Sequence, residues 1–368
     1  MQRTDLQPRE RDYWLALTRV VGIGPAHFQR LLAHFGSAER AWQADGLALA
    51  AAGLDARAAQ GLLALRREVD PAAEEARLAE RGITALTLDD ADYPACLRAI
   101  VDPPPVLFVR GSLTLADEWA IAMVGTRRAT PYGRQAAEHV ASGLAAAGVT
   151  VVSGLARGID ACAHRAALAA GGRTIAVLAH GLDTVYPAEH ARLAAEIGQN
   201  GALVSEFPLG TRPDAPNFPR RNRILSGLAR ATVVVEADVK SGALITARYA
   251  AEQGRDVFAV PGSIFSPFSR GTNALIKDGA GVLTDPRDLL EELHLSLAVE
   301  KQAVRASLPA DPTEAALLDH LGHEPLHVDE LSRATGLPVA TVSGALVLME
   351  LKGLVRQAGP QSYVQARP

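Results

Sequence analysis

The sequence predicts an α/β protein whose centre is a doubly wound parallel sheet. One observation behind this is a set of continuous apolar runs, such as AIAMVG and ATVVVEA, between residues 102 and 295. Such runs are typical of strands that are buried on both faces of a parallel sheet. The other observations are that helical patterns separate the runs and that small-residue turns follow them.

Strands and helices alternate through this middle region. The predicted strands are Val106–Arg110, Ala120–Gly125, Thr150–Gly154, Thr174–Ala179, Ala202–Phe207, Ala231–Ala237 and Asp256–Gly262. The predicted helices are Tyr132–Ala147, Ile159–Ala170, Ala188–Ile197, Arg223–Ala229 and Leu244–Gln253. This alternation is the pattern of a doubly wound sheet.

The N-terminal region, residues 10–80, has the pattern of short helices. Its stretch VGIGPAHFQRLL places a glycine turn before an amphipathic helix. In a helix-hairpin-helix unit, such a turn lets a phosphate approach the helix N-terminus. An ordinary αα-hairpin has the same pattern, so both interpretations stay open.

The C-terminal region has the order of a winged helix. Residues 296–312 carry no strong pattern and are predicted to be a linker, and Ala315–Leu321, Val328–Thr335 and Val339–Leu351 are predicted helices before a strand pair around Gly359-Pro360. The last helix contains no basic residue, whereas helices that recognise bases offer Arg, Lys, Asn or Gln. We therefore favour a protein-contact or regulatory role for this domain over DNA recognition.

Composition narrows the class of protein. The 368 residues suffice for two or three domains, and the net charge of −4 gives no overall sign of a nucleic-acid binder. No long uncharged apolar run and no signal-peptide pattern occur, so we expect no membrane span. Cys96 and Cys162 are too few for a disulfide scaffold, which fits a cytoplasmic protein.

Small-residue turns follow five of the predicted strands. They are GTRR (125–128), SGLARGID (153–160), AHGL (179–182), ADVKSG (237–242) and PGS (261–263). The carboxyl ends of parallel strands open on one edge, where α/β proteins bind ligands. Glycines and helix N-termini on that edge, with arginines between them, predict a surface for phosphates or a sugar-phosphate chain.

Catalytic and nucleotide-binding motifs are absent from the sequence. No G-x-G-x-x-G follows a strand, and no phosphate-binding P-loop, G-x-S-x-G elbow or HExxH is present. Asp160 and His164 lie four residues apart on one predicted helix and could touch. We expect structural roles for both, with Asp160 as a helix cap.

Six motifs in order identify a family resemblance. GTRRATPYG, SGLARGID, TIAVLAHGLDTVYP, FPRRNRILSGLA, SGALITARYAAEQGRDVFAVPG and GTNALIKDGA resemble the DprA/Smf family of DNA-processing proteins over about residues 85–290. The resemblance implies a helical (SAM-like or helix-hairpin-helix-like) domain at 1–84, an extended Rossmann-like DNA-binding domain at 85–295, a linker at 296–312 and a winged helix at 313–368.

The resemblance also implies a function. The expected protein binds and protects single-stranded DNA, displaces single-strand binding protein and loads the RecA recombinase during natural transformation. It is expected to be a homodimer through the Rossmann-like domain, to use no cofactor and not to be an enzyme.

The family motifs assign candidate DNA-binding residues. The G-[ST]-R motif falls on Gly125, Thr126 and Arg127, the F-P-x-R-N-R-I motif on 218–224, and the serine-glycine turn on Ser241 and Gly242. Two departures are His190, where the family commonly has asparagine, and Thr126 in place of serine. The full candidate set is Gly125, Thr126, Arg127, Gly154, Arg157, Phe218, Arg220, Arg221, Asn222, Arg223, Ser241, Gly242 and Lys277.

Specific roles follow for the charged candidates. We expect Arg127 and Arg221 to contact phosphates and Lys277 to be a weaker phosphate contact. Arg220 and Arg223 are expected to add positive electrostatic field at the site or to support its structure. One of them is expected to form an internal salt bridge to a carboxylate such as Glu236 or Asp238.

Two other candidates have alternative roles. Asn222 is expected to bond either main chain at the helix start or a base edge. Phe218 belongs either to the core or to a stacking platform.

Two other classes of protein compete with this interpretation. One is a Rossmann-type nucleotide-processing enzyme similar to phosphoribohydrolases, but residues 237–243 lack the double glycine and the glutamate of the PGGxGTxxE loop of those enzymes. The other is a winged-helix transcription factor, against which the uncharged Val339–Leu351 segment weighs.

Overall fold

The protein forms two compact units, Met1–Leu295 and Ser296–Pro368. The computed structural model describes residues 9–294, 312–322, 325–351, 354–359 and 361–365. The linker expected at 296–312 lies outside these residues except for its last position. The division of the first unit at residue 84 stays a prediction.

Six helices open the first unit, as expected for residues 10–80. They are α1 (Glu10–Thr18), α2 (Pro25–Phe35), α3 (Ala38–Gln43), α4 (Gly46–Ala51), α5 (Ala56–Leu65) and α6 (Pro71–Ala79). Side chains at four of their N-caps accept hydrogen bonds from the first turn, as at Asp45 and Asp55. Trp14 packs on Phe28 with ring centroids 4.8 Å apart, and both are buried.

A nine-stranded sheet follows. Its strands are β1 (Ile83–Thr87), β2 (Val106–Gly111), β3 (Ile121–Val124), β4 (Val151–Ser153), β5 (Thr174–Val177), β6 (Gly201–Ser205), β7 (Ala231–Val234), β8 (Asp256–Ala259) and β9 (Gly281–Val282). The strand order is β1-β2-β6-β5-β4-β3-β7-β8-β9. Strand β2 pairs antiparallel with both β1 and β6, and the other pairs are parallel. The doubly wound prediction is confirmed.

The seven predicted strands are all present, and most end two or three residues before the predicted position. The residues after each strand form the turns of the sheet edge instead. The prediction missed β1 and β9, because β1 alternates buried and exposed positions and β9 has two residues.

Helices cover both faces of this sheet. They are α7 (Ala95–Arg98), α8 (Pro131–Ala146), α9 (Ile159–Ala169), α10 (Ala191–Asn200), α11 (Asn217–Gly227), α12 (Ala243–Glu252), α13 (Arg270–Lys277) and α14 (Pro286–Glu292). The predicted helix from Ala188 begins with a 3₁₀ turn, Ala188–His190, before α10.

Helix α11 corrects one expectation. The predicted helix was Arg223–Ala229, whereas α11 begins at Asn217, so the arginine cluster lies inside it. Pro219 is compatible with this position because the first-turn N–H groups of a helix have no intrahelical partner. The cluster therefore distributes its side chains around a helix.

The second unit has the winged-helix order. Its elements are α15 (Pro312–His320), α16 (Val328–Thr335), α17 (Val339–Leu351), β10 (Leu326–His327), β11 (Val355–Gly359) and β12 (Ser362–Gln365), with strand order β10-β12-β11. Leu331, Val342 and Leu346 are buried in its core, whereas Val347 and Leu348 of α17 are about half exposed.

A membrane-spanning helix was not expected. Within the described ranges, no single helix is long and apolar enough to cross a membrane. The helices Val328–Thr335 and Val339–Glu350 meet the criteria of length and composition only as a pair, and the chain bends by 112° between them.

Candidate nucleic-acid interface

The strand order places a switch point between β3 and β7. From β3 the chain winds through β4, β5 and β6 on one side, and from β7 through β8 and β9 on the other. Ligands of open α/β sheets bind in the crevice that this reversal leaves at the carboxyl ends. A cavity of about 350 Å³ lies there, and we call it the switch-point cavity. Its lining includes Gly125, Thr126, Arg127, Phe218, Arg221, Asn222, Ser241 and Gly242.

Main-chain contacts fix the turn after β3. The Thr126 N–H donates to the Glu236 carbonyl at 2.7 Å, and the Thr126 carbonyl accepts from the Ile159 N–H at 3.2 Å. A Cβ at Gly125 would lie 2.5 Å from Ile159 Cγ1, so only glycine fits this approach. The rigid turn leaves the Arg127 side chain exposed at the cavity mouth.

Aromatic rings stand beside Arg127. Its guanidinium lies 5.0 Å from the Phe218 ring centroid, and the Tyr186 and Phe218 ring centroids lie 6.1 Å apart in an edge-to-face arrangement. Phe218 is half-buried and Tyr186 is 45% exposed. Phe218 is therefore a wall of the cavity and not a core residue. Stacking of Phe218 on a base stays a prediction.

Arg221 lies at the floor of the cavity and is 4% exposed. Its guanidinium donates to the Gly154 carbonyl at 2.9 Å and to the Val177 carbonyl. Burial lowers the pKa of Arg221 to about 10, which leaves it charged at neutral pH. A Cβ at Gly154 would overlap this guanidinium. Direct phosphate contact by Arg221 stays a prediction, and its charge acts on the cavity from below.

The carboxylate facing Arg221 is Asp160. Burial raises the pKa of Asp160, while the positive charge of Arg221 opposes that rise. The Asp160 carboxylate accepts from the Ala156 N–H at 3.3 Å, and the N-cap of α9 is Gly158, so the expected capping role is wrong. Its role is to hold the turn before α9.

His164 bonds to Thr174 and not to Asp160. Its Nδ1 lies 2.6 Å from the Thr174 hydroxyl in the interior. Burial lowers the pKa of His164 to about 3, so the ring is neutral. The structural role expected for His164 fits this position.

Arg223 makes the internal salt bridge that was expected of one arginine, but its partner is Glu206, not Glu236 or Asp238. It also donates to the Asp102 carbonyl at 2.6 Å. Both carboxylate oxygens of Glu236 are instead bonded to Thr130. The reason is the position of Arg223 within α11, which turns its side chain away from β7.

Arg220 also lies away from the switch-point cavity. Its guanidinium stacks over the Phe207 ring at 5.2 Å from the centroid. Arg220 and Arg223 line a second cavity, of about 710 Å³, on the other side of α11.

The remaining candidates lie outside the switch-point cavity. Arg157 is exposed and forms a bidentate ion pair with the Glu189 carboxylate, with N–O distances of 2.6 and 2.7 Å. Gly154 is buried beneath Arg221. Lys277 is the exposed last residue of α13.

The structure adds side chains that the sequence reasoning did not select. Arg128, Lys240 and Phe268 line the switch-point cavity, and Tyr186 stands beside it. Arg128 and Lys240 belong to the turns GTRR and ADVKSG, so position in a turn was an available signal. Phe268 and Tyr186 required the fold.

Two polar residues of the candidate motifs bond to the protein itself. The Asn222 amide donates to the Gly242 carbonyl at 3.4 Å, and its oxygen accepts from Arg221 at 3.3 Å. His190 is buried, with Nδ1 2.9 Å from the Leu155 carbonyl. Asn222 thus bonds to main chain, but at the start of α12 and not of its own helix, and its contact with a base edge stays a prediction. The departure at His190 lies at an internal position.

Across the residues that the structure describes, no group of three or more His, Cys, Asp or Glu side chains could hold a metal ion.

Fold and site together define a class. The chain is a three-part protein, with a helical N-terminal region, a Rossmann-like sheet that opens a cationic cavity at its switch point, and a winged helix. Family models agree with each part. The model described as DNA recombination-mediator protein A matches residues 84–294, a DprA winged-helix domain matches 301–359, and a DprA-like N-terminal HHH domain matches 8–68.

Relatives are similar over most of the chain. Protein Smf of Escherichia coli is 43% identical over 331 residues, which cover 88% of each chain. The X-ray structure of DNA processing protein A from Streptococcus pneumoniae superposes with a TM-score of 0.66 at 35% identity, covering 76% of this chain and 97% of that one. The chain belongs to the DprA/Smf family of DNA-processing proteins.

A second solved structure is relevant to ligand binding. DNA processing protein A from Helicobacter pylori, whose structure is described as showing a unique single-stranded DNA binding mode, has a TM-score of 0.52 and 32% identity. The match covers 57% of this chain and 95% of that one.

Proposed function

We propose that this protein binds the backbone of single-stranded DNA in the switch-point cavity and passes the strand to the RecA recombinase. The observation that carries the proposal is the pairing of the exposed Arg127 with the half-buried Phe218 ring above the buried charge of Arg221. Single-strand binding combines a cationic groove with stacking surfaces, and this cavity offers both. Family membership and the Helicobacter pylori relative support the same ligand.

Each wall of the cavity has a distinct task in this proposal. Arg127, Arg128 and Lys240 contact phosphates, because all three are exposed cations at the mouth. Phe218 and Tyr186 stack on bases, which is tolerant of sequence because every base has a π-face. Binding is therefore independent of the base sequence.

We propose that the cavity performs no reaction. A phosphoribohydrolase needs a free glutamate beside the nucleotide, whereas both oxygens of Glu236 are held by Thr130. Burial raises the pKa of Asp160, the carboxylate of the cavity, and this carboxylate accepts a hydrogen bond from the Ala156 N–H. Incubation with adenosine monophosphate is expected to release no adenine, and release of adenine would contradict this.

Arg127→Ala tests the DNA site. We expect roughly tenfold to hundredfold weaker binding of a labelled oligo-dT, because a hydrogen bond to a charged group contributes about 1.5–3 kcal/mol. The salt dependence of log K should fall by about 0.7, the value for one phosphate contact on a single strand. Fluorescence anisotropy over a salt series, with duplex DNA alongside, measures both.

Arg230→Ala is the matched control. Arg230 is also exposed and stacks on an aromatic ring, Trp119, but it precedes β7 and so lies at the opposite, amino edge of the sheet. Unchanged affinity in Arg127→Ala, or an equal loss in Arg230→Ala, would refute the site.

Partner functions complete the proposal. We propose that the protein displaces single-strand binding protein, loads RecA and forms a homodimer through the Rossmann-like domain. Family membership supports these steps. Their tests are the formation of RecA filaments on protein-coated single strands and sedimentation of the free protein.

A further inference from the structure

The N-terminal helices contain two hairpins of the same design. Helices α1 and α2 are joined through Gly22 and Gly24, and α4 and α5 are joined through Gly53 and Asp55. The two turns touch, since a Cβ at Gly22 would lie 3.3 Å from the Ala58 Cβ. The turns therefore form one surface with two helix N-termini.

Only one of these N-termini is capped by a side chain. Asp55 accepts from the Ala58 N–H at 2.7 Å and so satisfies the start of α5. The N-cap of α2 is Gly24, which has no side chain, and the first turn of α2 has no acidic residue. The N–H groups at the start of α2 are thus left for an external acceptor.

The start of α2 opens on the larger cavity of the first unit, which we call the hairpin cleft. It is bounded by residues 18–28 on one side and by Phe207, Arg220 and Tyr249 on the other. Arg220 is exposed and stacks on Phe207, and it forms no salt bridge with any described residue. The cleft therefore brings an uncapped helix start and a free guanidinium to one space.

An independent feature lies at the base of the cleft. Glu206 is 9% exposed, and one of its oxygens pairs with Arg223. Its other oxygen, Oε1, has no hydrogen-bond partner, which is costly for a buried carboxylate. The cleft thus offers both donors to an anion and an unsatisfied acceptor.

We infer that the hairpin cleft is a second DNA subsite, which takes one nucleotide of a single strand. The phosphate lies at the α2 N-terminus and Arg220, and an N–H of the base faces Glu206. This rests on the proposed function, because the strand reaches the cleft from the switch-point cavity. Helix α11 separates the two spaces, with Arg221 and Asn222 on one side and Arg220 on the other.

Oligonucleotide length separates the two subsites in an experiment. The full-length protein and its Arg220→Ala and Gly24→Ala variants are titrated with oligo-dT from about 4 to about 16 nucleotides, a usual range for single-strand sites. A Cβ at Gly24 meets no atom within 4 Å, so Gly24→Ala should fold and only obstruct the ligand. Arg230→Ala is again the control.

We expect both variants to bind the longest oligonucleotide about threefold to tenfold more weakly and the shortest one normally. Photocrosslinking of oligonucleotides that carry 5-iododeoxyuridine should label Tyr249, which is read by mass spectrometry.

Normal affinity at every length in both variants, with adducts confined to Phe218 and Tyr186, would overturn the second subsite alone. Unchanged affinity in Arg127→Ala would overturn the proposed function instead.

Discussion

Two arginines of the switch-point cavity have different environments in this protein. Arg127 is exposed beside Phe218, whereas Arg221 is buried under main-chain carbonyls. A mobile exposed guanidinium can close on a phosphate, while a buried one holds the cavity in shape and adds a fixed positive field. The sequence predicts phosphate contact for both arginines. The exposure of Arg127 favours that role, and for Arg221 it stays a prediction.

Gly154→Ala tests the shape-holding role of Arg221. The added methyl would overlap the Arg221 guanidinium, so we expect a loss of about 1–3 kcal/mol in the free energy of unfolding, the usual cost of overpacking. Urea unfolding measures this. Gly198→Ala is the control, since a Cβ there meets no atom within 4 Å, and equal stability of the two variants would contradict the assignment.

At the scale of elements, α11 connects the functional surfaces. Successive side chains of a helix point about 100° apart, so a run of basic residues cannot face one ligand. Arg221 and Asn222 line the switch-point cavity, while Arg220 and Arg223 line the hairpin cleft. The arginine cluster therefore contributes side chains to two cavities and to one internal ion pair.

Helix α9 gives a pH-dependent prediction. His164 is fully buried and its pKa is about 3 in the folded protein, against 6.5 for an ordinary histidine. The unfolded chain therefore binds the proton first on acidification. The contribution of neutral His164 to stability is present above pH 6.5 and is lost as the pH falls towards 3.

Between pH 7 and pH 5 this contribution amounts to about 2 kcal/mol. On going from pH 7 to pH 5, the free energy of unfolding should therefore fall by about 2 kcal/mol less in His164→Gln than in the unsubstituted protein. Urea unfolding at both pH values measures the difference. Equal losses in the two proteins would show that another group dominates.

At the scale of the whole molecule, the two compact units have different surfaces. The first unit carries the cationic cavity, while α17 of the second has no basic residue and exposes Val347 and Leu348. A helix with this face suits contact with a protein better than contact with DNA.

Leu348→Glu tests that division of labour. Leu348 is 53% exposed, so the substitution should leave thermal stability and single-strand affinity unchanged. We expect it to lower the rate of RecA loading on strands coated with single-strand binding protein. A normal loading rate, or a loss of DNA affinity, would contradict a protein-contact role for α17.

The sequence by itself determined the parallel strands, the turns after them and the family. Apolar runs and glycine turns are local signals that can be recognised in a short stretch of sequence, and they are common to doubly wound proteins. The tertiary structure decided which charges are free. Arg223 pairs with Glu206 instead of Glu236, and Arg221 is buried against Gly154, because strand order and the phase of α11 set the neighbours of each side chain. Burial and pairing depend on residues far apart in the chain, and no local pattern encodes them.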